Sequence, residues 1–324
     1  MSSAILLVGG MGTRLQPLTF SAPKPMLSVA GVPFTEHQII KAREAGFTEI
    51  VLATSFKAEL FEPYFGNGER FGISIRYAVE REPLGTGGAI RNAASMLTGT
   101  GPVAIFNGDV LSAHDLAAQL KFHTKNEADV TLYLTEVPDA RAFGAVECDE
   151  NFRVQAFNEK MENPPTNMIN AGCYIFSRKV IESIPEHTVV SVERETFPGL
   201  LHAGARVFAF VDRSYWLDIG NPQALMKATQ DLLSGKMYSA ATPPLRDGSF
   251  VGSGVVIDSS AKVSASVIGE GARIEAGAMV AGSLIGAGAT IGAEAVLHDC
   301  FVADGARVEA GVIAGGNFLG FPPK

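Results

Sequence analysis

Short apolar runs alternate with amphipathic stretches through the first part of the chain: "AILLV", "EIVLAT", "ISIRYAV" and "VAIFNGD" are interleaved with "TEHQIIKAREAG", "FKAELFEPYF", "GGAIRNAASML" and "SAHDLAAQLKFHT". Aliphatic runs of this length read as strands covered on both faces, and the stretches between them as helices. The pattern predicts βα units in a Rossmann-like α/β domain with helices on both faces of a mostly parallel sheet. From about residue 129 the strands crowd together, as "ADVTLYLTEV", "FGAVECD", "RVQAFNEK" and "INAGCYIFS", and predict an antiparallel or mixed extension of the same sheet. A helix over about 221–234 closes this part, and "SAATPPLRDG" reads as a linker.

Beyond the linker the polar and apolar positions take a new period. The rows "VGSGVVIDSSAKVSASV", "IGEGARIEAGAMVAGSL", "IGAGATIGAEAVLHDCF" and "VADGARVEAGVIAGGNF" begin at Val251, Ile268, Ile285 and Val302, 17 residues apart. Within the first three rows an aliphatic residue recurs six and twelve positions after the start; the fourth keeps Val308 and then departs from the pattern, as a terminal cap would. Three inward aliphatics per row predict a three-sided coil of short parallel strands burying one apolar column. The expected domains are 1–238, a linker at 239–250, and a coil at 251–324.

Composition narrows the function classes. With 324 residues, 47% hydrophobic and 19% charged, the chain is globular rather than disordered, and a net charge of −8 argues against bulk nucleic-acid binding. Three cysteines without CxxC spacing argue against a disulfide framework or a structural zinc, and the opening apolar run is too short to span a membrane. These features predict a soluble, cytoplasmic protein that binds neither nucleic acid nor membrane.

Chemistry concentrates after the first strand, in "LLVGGMGTRLQPLTFSAPKPML". Gly9, Gly10 and Gly12 allow a tight turn or the approach of a bulky group, and Arg14 and Lys24 follow as cations. The spacing fits neither GxxxxGK[ST] nor a helix-opening GxGxxG. What remains is a proline-stiffened loop whose backbone N–H groups and two cations suit a polyphosphate. Phosphate ligands of such sheets lie beyond the strand ends, where the glycine loop and "NGD" both fall.

"GGMGTRLQPLTFSAPKPML" resembles the signature of the sugar-phosphate nucleotidylyltransferases, and "EPLGTGGAI", "FNGD", "FNEK", "INAGCYIF", "VERETFP" and "YWLDIG" match that family in order before the coil begins. "PLGTGG" is similar to the guanine-contacting segment of its mannose-1-phosphate guanylyltransferase branch, and the coil resembles the left-handed hexapeptide-repeat β-helix. The resemblance implies a nucleoside triphosphate and a sugar 1-phosphate as substrates, GTP with mannose 1-phosphate above all, and Mg2+ as cofactor, with thymidylyl, uridylyl or adenylyl transfer to glucose 1-phosphate as the alternative.

By the same resemblance Arg14 and Lys24 orient the triphosphate, Asp109 and Asp218 hold the metal, and Leu7, Gly9, Gly10, Gly12, Thr13, Gly85 and Thr86 bind the nucleotide. Gly144, Glu159, Lys160, Asn170 and Glu193 fall at sugar-phosphate positions, and Met161 stands where the family usually carries proline. Three residues have structural readings as well. Ser112 is better placed than Asp109 to cap "SAHDLAAQL", Thr86 could cap the helix beginning near Gly88, and Glu193 could solvate a helix start. Two other classes are disfavoured: acyl transfer by the coil, whose single histidine, His298, reads as an outward residue of a row with an intact 17-residue period, and a regulatory subunit without turnover, against which the joint presence of Arg14, Lys24, Asp109, Lys160 and Asp218 counts. The coil is expected to assemble the protein into a homo-oligomer and to carry none of the chemistry.

Overall fold

The computed structural model describes residues 2–55 and 57–322. Its chain forms two compact units, residues up to Gly10 together with Gln38–Trp216, and Met11–His37 together with Leu217 onward.

The first unit is built on a nine-stranded sheet. β1 (Ser3–Leu7), β2 (Glu49–Thr54), β3 (Ser74–Val79) and β4 (Val103–Asn107) are parallel, in the order β4-β1-β2-β3. Ile5 faces Val51 on one side and Ile105 on the other, and all three are fully buried, as expected for parallel strands covered on both faces. The later strands are β5 (Val130–Glu136), β6 (Gly144–Cys148), β7 (Val154–Glu159), β8 (Met168–Phe176) and β9 (Val207–Val211). β8 is the hub of the extension: it runs antiparallel to β4, β5 and β6, while β7 pairs antiparallel with β6 and β9 parallel with β5.

Helices follow the predicted stretches: α1 (Phe34–Glu44), α2 (Gly85–Ala94), α3 (Leu116–Lys125) and, in the second unit, α4 (Pro222–Leu233), capped by Asn221. Two local expectations are corrected. Of "FKAELFEPYF", whose Phe56 lies outside the described residues, 57–65 form only short separate pieces at Ala58–Leu60 and Glu62–Phe65, because Pro63 has no N–H to donate and Lys57 sits at a positive φ of 53°. The cap of α3 is Asp115, which accepts from Ala118 N–H at 2.8 Å; Ser112 instead hydrogen-bonds His114.

Within the second unit the coil has three sheets, of five, four and four strands. Partners stand 17 residues apart throughout: Val251, Ile268, Ile285, Val302 and Leu319 form one ladder, and Ile257, Ile274, Ile291 and Val308 another. The fourth row therefore keeps its register, contrary to expectation. Ala314 pairs with Leu297 where the pattern asks for an aliphatic, so the side chain shrinks while the backbone ladder continues to Phe318–Leu319. One corner is lined by Ser249, Ser266, Ser283 and Cys300, all buried. The Ser249, Ser266 and Ser283 hydroxyls each accept the N–H 17 residues on, at 3.0–3.2 Å, and those of Ser266 and Ser283 also donate to a carbonyl two residues back, so buried polar atoms are satisfied coil by coil.

Among the described residues three histidines are buried. His37 bonds Ser239 Oγ at 2.7 Å and Val29 O at 3.0 Å, and burial, against that backbone bond, lowers its pKa from 6.5 to about 4. Burial likewise lowers His123, beside Thr131, to about 4, despite the charge of Asp129. Burial, and then the charge of Lys41, takes His114 well below 6.5. Unfolded chains protonate these rings near 6.5, so the unfolded state binds more protons below that pH. The stability that the neutral rings contribute is complete above pH 6.5 and is lost as pH falls toward 4, by about 3 kcal/mol each for His37 and His123. Thermal melts at pH 7, 5.5 and 4.5 should show a progressive fall in Tm starting well above the carboxylate range; a flat Tm down to pH 5 contradicts it.

Candidate active site

In the first unit the nucleotide and sugar-phosphate candidates gather at the carboxyl ends of β1 and β4 and along β6 to β8. Leu7 ends β1, followed by Gly9, whose carbonyl accepts from Ser55 Oγ at 2.6 Å, and exposed Gly10. β4 ends at Asn107, and the next two residues are Gly108 and half-buried Asp109. A Cβ at Gly108 would lie 2.2 Å from Leu7 O, so only glycine lets this turn lie against β1.

Gly85 and Thr86 open α2, and Thr86 is not its cap. Its hydroxyl donates to Glu193 Oε2 at 2.9 Å and accepts from Val192 N–H at 2.8 Å, so Glu193, which stands at the start of the helix Val192–Thr196 and accepts from Ser191 Oγ at 3.1 Å, also joins two segments. Gly144 and Glu159 are direct partners across β6 and β7. Lys160 follows in a left-handed conformation, φ 40°, with Nζ 3.7 Å from Glu159 Oε1. On β8, Asn170 Nδ2 donates to Tyr174 Oη at 3.2 Å, and Tyr174 Oη donates to Asn107 Oδ1 at 3.1 Å. Burial holds the Tyr174 phenol well above pH 10, so it stays a donor. Asn107 and Tyr174 lie within the segments "FNGD" and "INAGCYIF" but, like Ser55, are not among the expected site residues.

The second unit holds Gly12, Thr13, Arg14, Lys24 and Asp218. Residues 11–27 form three separate 3₁₀ turns rather than a helix, as their prolines require. Gly12 has φ 62°, and a Cβ there would come 2.8 Å from Lys24 Cβ, so the glycine brings the two ends of the loop together. Asp218 closes the strand Trp216–Asp218. Arg14 and Asp218 converge on Gly220, whose Cβ position lies 3.4 Å from Arg14 Nη2 and 3.3 Å from Asp218 Oδ2. This unit also contains a cleft of about 560 Å³ lined, on either side of Lys24 in the chain, by Leu18, Phe20, Ala22 and Leu27, and across from them by Leu284 and Phe301 of the coil. The loop that carries Lys24 thus shares a wall with the coil.

His298 does not offer an acyl-transfer site. It is exposed, Nδ1 lies 2.8 Å from Asp299 Oδ2, and the coil ladder passes through it without an inserted loop. Among the described residues no three His, Cys, Asp or Glu side chains form a ready metal cage, and no helix is long and apolar enough to cross a membrane.

Residues 3–235 match the family described as nucleotidyl transferase, and residues 241–318 match the GlmU-like C-terminal hexapeptide family. A mannose-1-phosphate guanylyltransferase of Mycobacterium tuberculosis is 49% identical over 271 residues, 83% of this chain and 75% of the relative. A mannose-1-phosphate guanyltransferase of Yarrowia lipolytica is 34% identical over 265 residues, 80% of this chain and 72% of the relative. Among solved structures, HddC from Yersinia pseudotuberculosis superposes with a TM-score of 0.61 at 31% identity, covering 71% of this chain and 99% of that one, and one of its structures is complexed with GMP-PN.

Proposed function

The chain belongs to the nucleotidyl transferase family, and from that premise we propose that it transfers GMP from GTP to mannose 1-phosphate, forming GDP-mannose and releasing pyrophosphate. The observation that carries this reading is the 49% identity, over 83% of the chain, to a protein named for that reaction. The complex of HddC with GMP-PN adds support for the base. In the reaction an oxygen of the sugar phosphate attacks the α-phosphorus, a new P–O bond forms, and the bond to the bridging oxygen breaks, its electron pair leaving with pyrophosphate.

Both substrates are anions, so the protein must supply charge and alignment more than acid or base groups. Arg14 and Lys24 offset the triphosphate and the departing pyrophosphate. Backbone N–H groups of the Gly9–Thr13 loop face its oxygens, and Gly85 and Thr86 border the base. Lys160 meets the sugar phosphate, while Glu159, Asn170 and the backbone at Gly144 receive sugar hydroxyls. Glu193, tied to Thr86, fixes the edge of that pocket.

Asp109 and Asp218 are the metal ligands in this reading. Their oxygens are the hard donors Mg2+ takes, and two carboxylates without a full protein cage suit an ion that completes its shell with water and substrate phosphate. Bound there, Mg2+ supplies positive charge to the phosphate oxygens. We assign residues 1–238 to this reaction and 251–324 to assembly of a homo-oligomer, joined by 239–250. We place the protein in the cytoplasm, where Cys148, Cys173 and Cys300 remain free thiols.

The test is a matrix of GTP, ATP, UTP and dTTP against mannose and glucose 1-phosphates, following pyrophosphate release. GTP with mannose 1-phosphate should give the highest kcat/KM. A higher value for dTTP or UTP with glucose 1-phosphate overturns the substrate assignment.

A further inference from the structure

We propose that Gln38 is a positioning residue for Asp109: its side-chain amide, with the Tyr174 hydroxyl, holds residues 107–112, the two-residue turn at Gly108 and Asp109 and the strand Val110–Ser112 that follows, so that the carboxylate is in place before metal and nucleotide arrive. This rests on the reading of Asp109 as a metal ligand. Gln38 lies on α1 and is 4% exposed. Its Nε2 donates to Asn107 O at 2.8 Å and to Val110 O at 3.2 Å, the carbonyls on either side of Gly108 and Asp109. Both partners can only accept, so the amide nitrogen must face them, and a carboxylate could not replace it.

The turn is held from other directions as well. Gly108 N–H donates to Leu7 O at 3.0 Å, and Tyr174 Oη donates to the Asn107 side chain. Three residues along the same face of α1, Lys41 Nζ donates to Ser112 O at 2.7 Å. β1, β8 and α1 therefore converge on six residues whose one carboxylate is Asp109. A ligand loop ordered in advance spares metal binding the entropy of ordering it, which is the usual work of groups behind a metal ligand.

The experiment measures Mn2+ affinity directly, by the electron paramagnetic resonance signal of the free ion, in the full-length protein with GDP-mannose bound. The Mg2+ dependence of turnover is followed alongside. Gln38→Met removes both donors at similar volume, and Tyr174→Phe removes a single hydroxyl. Each should weaken Mn2+ about tenfold and raise the Mg2+ concentration for half-maximal rate similarly, and in Gln38→Met, which lies outside the substrate-binding residues, kcat at saturating Mg2+ stays near that of the parent. Gln38→Glu should be worse than Gln38→Met, because its carboxylate faces two carbonyl oxygens. Asp109→Asn is the reference. If it weakens Mn2+ binding while Gln38→Met and Tyr174→Phe do not, the positioning role falls and the metal role of Asp109 stands. If Asp109→Asn leaves Mn2+ binding unchanged, both fall. Should Gln38→Met not fold, Tyr174→Phe decides between these outcomes.

Discussion

Asp109→Asn and Asp218→Asn should each lower kcat by roughly 10²–10⁴-fold, or about 3–5 kcal/mol of barrier, in a protein that melts close to the parent. Asparagine keeps the volume and removes the charge, so the loss would lie in the metal site rather than in packing. Asp109 follows the end of β4 on the turn against Leu7, and Asp218 ends its own strand, beside the glycine that Arg14 also approaches. Steady-state rates across a Mg2+ series, with circular dichroism melts on the same samples, decide the matter. Near-parental kcat at saturating Mg2+ in either variant removes that residue from the proposed site.

A chain ending near residue 245 should melt on the order of 10 °C lower and change its oligomeric state in light scattering. Leu18 and Leu27 are buried and border the cleft whose far wall is the coil. Exposing them forfeits about 1.5–3 kcal/mol each, which at this chain length lowers Tm by a few degrees per kcal/mol. The coil was expected to stand apart from the chemistry. Because the loop bearing Lys24 shares its wall, the shortened chain should also raise KM for the triphosphate. Unchanged melting and assembly would mean that the coil neither stabilises nor assembles the protein.

Local signals were readable wherever the cause was local. Aliphatic runs became β1 to β4 because both faces of a parallel strand must be covered, and the 17-residue period became the coil because each row pairs with its copy. The glycine loop and its two cations were likewise legible from residue type alone. The link from Asn170 through Tyr174 to Asn107 was not, since it joins β8 to β4, strands far apart in sequence, and leaves no local period. Gln38 was hidden for the same reason: on α1 it looks like any polar residue of an amphipathic helix. The fourth row hides its register because Ala314 lacks the bulk that marks the inward position in the other rows. Backbone pairing between Leu297 and Ala314 keeps the register without it. The cap of α3 was displaced because Ser112 is drawn away by His114 and Lys41, a tertiary pull invisible in "DVLSAHDL".

The serine corner turns the coil into a measure of length. Each row sets its first-sheet strand about 4.8 Å from the last, so the five strands from Phe250–Val251 to Phe318–Leu319 span about 19 Å. A duplication of 17 residues between Ser266 and Ser283 adds one such step and gives every hydroxyl and every inward aliphatic its proper neighbour. A duplication of 16 or 18 puts a different residue against the hydroxyl at its junction and sets the isoleucines of that row out of line with those of the next. Evolution can therefore lengthen or shorten this wall only in whole turns, as a screw advances only by its pitch.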